Sequence, residues 1–175
     1  MQYPVRMKKG GGNVGGELII RGGRPLYGTV RIPAAKNSIL PLLAAALLCQ
    51  GQVTFEDVPA LTDVENSLAL LKGVGCGVSS RAGRVRICPP RRAASVLPEG
   101  PARAMRSSVF YLAPLLHRAG SVTMPLPGGC RIGARPIDIH LDGLAAMGAR
   151  VEMGAGGLTL KAPSEGLRGV DWRMR

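Results

Sequence analysis

The chain repeats itself, and the repeat limits its fold more than any other feature. Leu68-x-x-Leu71-x-x-Val74-Gly75-x-x-Val78 returns 73 residues later as Leu141-x-x-Leu144-x-x-Met147-Gly148-x-x-Val151. Ala82-Gly83-x-Val85-x-Ile87 returns at the same spacing as Ala155-Gly156-x-Leu158-x-Leu160. Gly51-Gln-Val53 returns after only 69 residues as Gly120-Ser-Val122. Self-similarity at a fixed period means one supersecondary unit laid down twice, each copy covering apolar surface of the other. The surplus of four residues falls in the interval that holds Cys130. An insertion at a fixed place in a repeat maps to a functional face.

Hydrophobic periodicity gives each unit the order β-α-β-α-β-β. Residues 1–16 read as a disordered leader, because Gly10-Gly11-Gly12 and Gly15-Gly16 hold no packed structure. Residues 17–33 read as two short strands, Glu17 to Arg21 and Thr29 to Pro33, around a Gly-Gly-x-Pro turn. The first repeat spans 34–98. It contains a buried helix from Lys36 to Cys49, stopped by Gly51, and a strand from Gln52 to Phe55. An amphipathic helix follows from Asp63 to Gly73, with Val64, Leu68 and Leu71 on its stripe and Thr62 or Asp63 as its cap. Val78-Ser79 and Arg84 to Cys88 form a hairpin. The second repeat, 99–163, has a helix from Ala102 to Arg118, stopped by Gly120. A strand from Ser121 to Met124 and a helix from Ile137 to Met147 come next. Its hairpin joins Arg150 to Met153 with Leu158 to Lys161. Residues 164–175 read as the first strand of a third unit.

The formal charge is +12, which raises the possibility of a polyanionic partner. The basic residues are scattered, however, and no aromatic platform for bases runs between them. The charge therefore reads as an arginine-rich proteome and a missing acidic remainder of the protein, with small anionic substrates as a second contributor. Cys49, Cys76 and Cys88 each border apolar or glycine-flanked runs and read as small buried or half-buried hydrophobes. No Cys-x-x-Cys spacing suggests zinc. The longest apolar run, Ile39 to Cys49, is too short to cross a bilayer and contains Pro41. No signal peptide is visible, so a cytoplasmic protein is the default.

The chemistry concentrates between Leu126 and His140. Cys130 sits on a loop made pliant by Gly128, Gly129 and Gly133, with Arg131 and Arg135 close by in sequence. Nearby cations lower a thiol's pKa, and arginine holds phosphate or carboxylate bidentately. A free thiol between glycines is poorly explained by packing. The other candidates have ordinary structural readings. Lys36 fits a helix-start lysine with a solvated head, Arg106 a surface charge on a helix, and Asp138 a helix N-terminal cap. His140 fits a satisfied structural histidine, and His117 a helix-end residue favourable to the dipole.

Four motifs carry a family resemblance: Ala35-Lys36-Asn37-Ser38, Met105-Arg106-Ser107-Ser108, Pro127-Gly128-Gly129-Cys130, and Ile132-Gly-Ala-Arg135-Pro136-Ile-Asp138-Ile-His140. With them the chain resembles the amino-terminal part of the UDP-N-acetylglucosamine enolpyruvyl transferases from about Glu17 to its end. The sister family, the enolpyruvylshikimate phosphate synthases, shares the repeats but lacks the cysteine loop. The resemblance implies an α/β fold, an inside-out α/β barrel of repeated β-α-β-α-β-β units in two lobes. Residues 17–33 would belong to the second lobe. It implies transfer of the enolpyruvyl group of phosphoenolpyruvate to the 3′-hydroxyl of UDP-N-acetylglucosamine, without metal or organic cofactor. By the same resemblance Cys130 is the general acid and the target of fosfomycin-like epoxides. Lys36 and Asn37 hold phosphoenolpyruvate, and Arg135 clamps its phosphate. Arg106, Arg135, Pro136, Ile137, Asp138 and Ile139 contact the UDP-sugar.

Two departures are local. Pro33-Ala34-Ala35 stands where a glycine usually precedes the Ala-Lys-Asn triplet, and Phe110 stands where a Trp is common. A third is length, since the family's chains are more than twice as long. The 175 residues therefore read as a fragment that is inactive alone. The alternatives from the residues are a shikimate-type synthase fragment and a non-catalytic basic module for polyanions.

Overall fold

The computed structural model describes residues 5–8, 17–20, 23, 25, 27–32, 34–126, 136–154 and 156–173. The chain divides into two units, Met1–Ile32 and Pro33–Arg175. In the first, β1 (Val5–Lys8) pairs antiparallel with β2 (Glu17–Ile20), placing Val5 opposite Ile20 and Lys8 opposite Glu17. A strand thus lies inside the stretch expected to be a structureless leader: extended backbone becomes a strand once it finds a ladder partner. The strand expected at Thr29 to Pro33 does not form over 29–32. Val30 and Ile32 there stand 84% and 86% exposed.

The second unit starts with α1 (Lys36–Ala45) and a 3-10 turn over Ala46–Leu48. Its first turn is tied down by Ser38, whose Oγ donates to the Ala35 carbonyl at 2.9 Å. The helix buries Ile39, Leu40, Leu43, Ala44 and Leu47 but leaves Leu42 and Leu48 about half exposed. It is therefore one-sided rather than fully enclosed. Arg118 donates to the carbonyls of Leu47 and Cys49, satisfying acceptors the helix end would otherwise strand.

β3 (Val53–Phe55), β4 (Gly77–Arg81) and β5 (Arg84–Cys88) form an antiparallel sheet in the order β3-β5-β4. Val85 and Ile87 point inward from β5, while Arg84, Arg86 and Cys88 point out, as the two-residue period of a strand requires. α2 (Thr62–Gly73) buries Val64, Ser67, Leu70 and Leu71. Leu68, expected on that stripe, is half-buried; Leu70 takes the deeper place. The expected side-chain cap is absent: the N-cap is Leu61, which has no polar side chain to bond the first amides.

The expected continuous helix over Ala102 to Arg118 is instead three pieces. α3 (Glu99–Ala104) ends at Met105, which is extended at φ −138°, ψ 140°. A 3-10 segment covers Arg106–Tyr111, and α4 (Leu112–Ala119) ends at Gly120 with φ +74°. Two features break the run. Ser108 Oγ donates to the Met105 carbonyl at 2.9 Å. Pro114 lacks the amide that would bond the carbonyl four residues back, and it falls in the first turn of α4, where that bond is not needed.

β6 (Ser121–Met124), β7 (Arg150–Gly154) and β8 (Gly157–Lys161) repeat the first sheet's topology in the order β6-β8-β7. α5 (Asp138–Ala146) precedes β7. The helix-to-strand turns match as well. Gly75 and Gly148 both take φ +99°, and each lies against a proline ring, Pro90 and Pro163. One apolar core, including Leu43, Leu70, Ile87, Leu112, Leu115, Val122 and Leu158, serves both repeats. Ser67 and Tyr111 join the repeats across it, their hydroxyls 2.6 Å apart, and the Tyr111 hydroxyl also donates to the Ser67 carbonyl at 3.0 Å. Burial raises the Tyr111 pKa above the usual phenol range.

No strand forms over 164–173. The segment instead follows α5: the Arg168 amide bonds the Met147 carbonyl, and Trp172 packs on Gly143. Among the described residues, no helix is long and apolar enough to cross a membrane.

Candidate active site

Two basic side chains, one from each repeat, open onto a single cleft. Lys36 is the first residue of α1, and its Nζ forms an ion pair with Asp63 in the first turn of α2. Arg106 is the first residue of the 3-10 segment that follows the Met105 bend. Its Nη2 donates to the Pro136 carbonyl, just before α5, at 3.0 Å. The bend aims Arg106 here; in one unbroken helix it would continue the surface of α3.

The cleft has a volume of about 460 Å³, within the range of small-molecule sites. Beyond the two basic groups its walls include Asn37, Leu40, Asp63, Ser107, Phe110, Ile137 and His140. The hydroxyl of Ser107 is buried without a hydrogen-bond partner among the described residues. Two cations, one carboxylate, an amide and an apolar floor suit an anionic ligand with an uncharged portion.

The walls are themselves a duplication. Lys36 and Arg106, Asn37 and Ser107, and Leu40 and Phe110 are pairs 70 residues apart, and all six line the cleft. Asp63 and Pro136, the partners of the two cations, are 73 residues apart. Ser38 and Ser108 tie down the two entry turns in the same way, each donating to the carbonyl three residues back at 2.9 Å. The cleft thus lies where equivalent surfaces of the two repeats meet.

Of the residues singled out in the sequence, Lys36, Asn37, Arg106, Pro136 and Ile137 line this cleft. Asp138 and Ile139 occupy the first turn of α5 but do not line it. Cys130 and Arg135 lie outside the described residues. His140, expected to be structural, is exposed and lines the cleft. Asp63 and Ser107 were missed as site residues, although the 70- and 73-residue spacings point to both.

The remaining cysteines divide by environment. Cys49 and Cys88 are exposed, against the expectation of burial, and Cys76 is buried. Cys88 ends the outward-facing row of β5, and its position follows from strand alternation rather than from hydrophobicity. Burial pushes the Cys76 thiol up to about 11, with Arg118 partly opposing the shift. Cys76 therefore stays protonated and unreactive near neutral pH. Brief treatment with iodoacetamide at pH 7.5 is expected to modify Cys49 and Cys88 while sparing Cys76, as read by peptide mass mapping.

Comparison with known proteins agrees with this architecture. The model for the EPSP synthase (3-phosphoshikimate 1-carboxyvinyltransferase) family matches residues 20–175. The UDP-N-acetylglucosamine 1-carboxyvinyltransferase of Desulfovibrio desulfuricans is 47% identical over 143 residues, covering 80% of this chain and 33% of its own. The enzyme of that name from Rhodospirillum centenum is 42% identical over 165 residues, covering 89% and 38%. Among solved structures, the enolpyruvyl transferase NikO from Streptomyces tendae matches with a TM-score of 0.66 at 21% identity, covering 81% of this chain and 31% of that one. At that identity the likeness speaks to the fold. The chain spans about a third of the length of the curated relatives it matches.

Proposed function

The chain belongs to the EPSP synthase family, and on that basis we propose that it forms part of a UDP-N-acetylglucosamine 1-carboxyvinyltransferase. The observation that carries this reading is the cleft in which Lys36 and Arg106 converge from equivalent places in the two repeats. Both substrates are anionic, one a phosphorylated enol and the other a diphosphate sugar. A hydrogen bond to a charged group contributes roughly 1.5–3 kcal/mol, so two preoriented cations supply useful binding energy before any chemistry.

The reaction is addition followed by elimination. The sugar 3′-hydroxyl oxygen bonds to C2 of phosphoenolpyruvate as its own proton leaves to a base. C3 takes a proton, giving a tetrahedral phospholactyl intermediate. Loss of a C3 proton then expels inorganic phosphate from C2 and leaves the enolpyruvyl ether. The cation charge stabilises the phosphate and carboxylate through both steps. In this reading Cys130 is the acid that serves phosphoenolpyruvate, Lys36 and Asn37 hold that substrate, and Arg135 clamps its phosphate. Arg106 and residues 135–139 meet the UDP-sugar. The product is the first committed precursor of peptidoglycan, made in the cytoplasm without metal or organic cofactor. A fosfomycin-like epoxide alkylates Cys130.

The described cleft contains no second carboxylate beside Asp63 to take the sugar's proton. The 175 residues alone are therefore expected to release no phosphate above background from the two substrates, in a colorimetric assay. They are still expected to bind UDP-N-acetylglucosamine weakly, seen as amide shifts around Arg106 and Ile137. Turnover by these residues overturns the incomplete-site reading. An unchanged spectrum at saturating UDP-sugar overturns the substrate assignment.

A further inference from the structure

We propose that Asp63 is a positioning residue for substrate binding: its carboxylate holds the Lys36 ammonium at the cleft wall, as the Pro136 carbonyl holds Arg106. The inference rests on the functional reading above and adds a residue to it.

Charge counting alone argues against Asp63. A carboxylate in the wall of a cleft built for anions repels the ligand, and removing it should tighten binding. The duplication suggests another role. Each repeat places a cation one residue after an extended turn, tied down by a serine three residues on. Each repeat then supplies a partner for that cation from the entry to a later helix, Asp63 in the first turn of α2 and Pro136 just before α5. In one repeat the partner is charged and in the other it is neutral, so charge compensation is not what the two have in common. They share restraint of a long side chain.

The difference between the partners follows from the two side chains. A guanidinium is planar and presents its donors in a fixed fork, so one carbonyl is enough to orient it. An ammonium is a point charge on a four-carbon stem. Left free, that stem carries rotamer entropy that a ligand must freeze. The Lys36 side chain is 51% exposed, whereas that of Asp63 is 25% exposed and better enclosed. Asp63 also sits in the first turn of α2, where the helix favours a negative side chain. It is therefore the more rigid member of the pair and able to fix the other. Restraint made before the ligand arrives is affinity gained on arrival.

The test titrates the isotope-labelled chain with phosphoenolpyruvate and, separately, with UDP-N-acetylglucosamine, following amide shifts. Asp63→Asn keeps the shape and removes the charge. It is expected to weaken phosphoenolpyruvate binding about five- to tenfold while changing UDP-sugar binding less than twofold, a split that a general loss of structure does not produce. Unchanged or tighter phosphoenolpyruvate binding overturns the inference. In a Lys36→Met background Asp63→Asn should have no further effect; an additional loss means Asp63 does not act through Lys36. Lys36→Met alone gives a second reading should Asp63→Asn fail to fold, and unchanged phosphoenolpyruvate affinity there overturns the inference too. If the unaltered chain binds neither substrate, the functional reading falls first and this one with it. If the unaltered chain binds and Asp63→Asn binds equally well, only the role of Asp63 falls.

Discussion

Gly157→Ala is expected to cost roughly 3 kcal/mol or more of stability. Gly157 opens β8 at φ +119°, a conformation that side chains rarely adopt. A Cβ there would collide with the Met124 carbonyl oxygen and lie 2.8 Å from the Cα of Pro125. Both obstacles are backbone, so no rotamer change relieves them. The strain of the left-handed region and the overlap each cost on the order of 1–3 kcal/mol. Relief requires separating β6 from β8, which would expose Met124 and Leu158, both fully buried. Gly154, opposite Gly157 in the hairpin, is the control, because a Cβ there meets nothing within 4 Å. Urea unfolding of the two variants should differ sharply; equal midpoints would contradict the packing of the second sheet.

Arg106→Met is expected to lower affinity for UDP-N-acetylglucosamine by about 10- to 100-fold, the loss of one or two hydrogen bonds to a charged group. Methionine fills much of the same space, so the cleft wall remains. One guanidinium nitrogen is engaged with the Pro136 carbonyl, and the others remain for the ligand. Arg106→Lys should recover only part of the loss, since an ammonium has no fork with which to bridge Pro136 and a phosphate. The folded state should change little, because the bond to Pro136 is exposed. Isothermal calorimetry decides the matter. An affinity unchanged in Arg106→Met would remove Arg106 from the substrate site.

Much of the architecture is legible in the letters because the repeat supplies two readings of each element. Both hairpins, the strands at Val53–Phe55 and Ser121–Met124, and the helices at Thr62–Gly73 and Asp138–Ala146 sit close to where periodicity places them. Errors cluster where a local rule meets a nonlocal one. Ala102 to Arg118 has helical composition, but Ser108 and Pro114 redirect the backbone. Val5–Lys8 looks too glycine-flanked to order, yet pairs with Glu17–Ile20. Cys88 looks apolar by neighbourhood, and strand alternation turns it to solvent.

The site divides in the same way. Lys36, Asn37 and Arg106, which line the cleft, lie in short motifs, which report residue type and order. Asp63 was read only as a helix cap, and His140 only as structural.

What the sequence determined by itself was the unit, its duplication and the chemical types available, because hydrophobic period and turn chemistry act over a few residues. What only the tertiary structure decided was which charges face one another. Lys36 meets Asp63, and Arg106 meets Pro136, across gaps of 27 and 30 residues. Those pairings depend on how helices α1, α2 and α5 and the bend at Met105 pack on the shared core, and packing is a property of the whole set of side chains that no local pattern encodes.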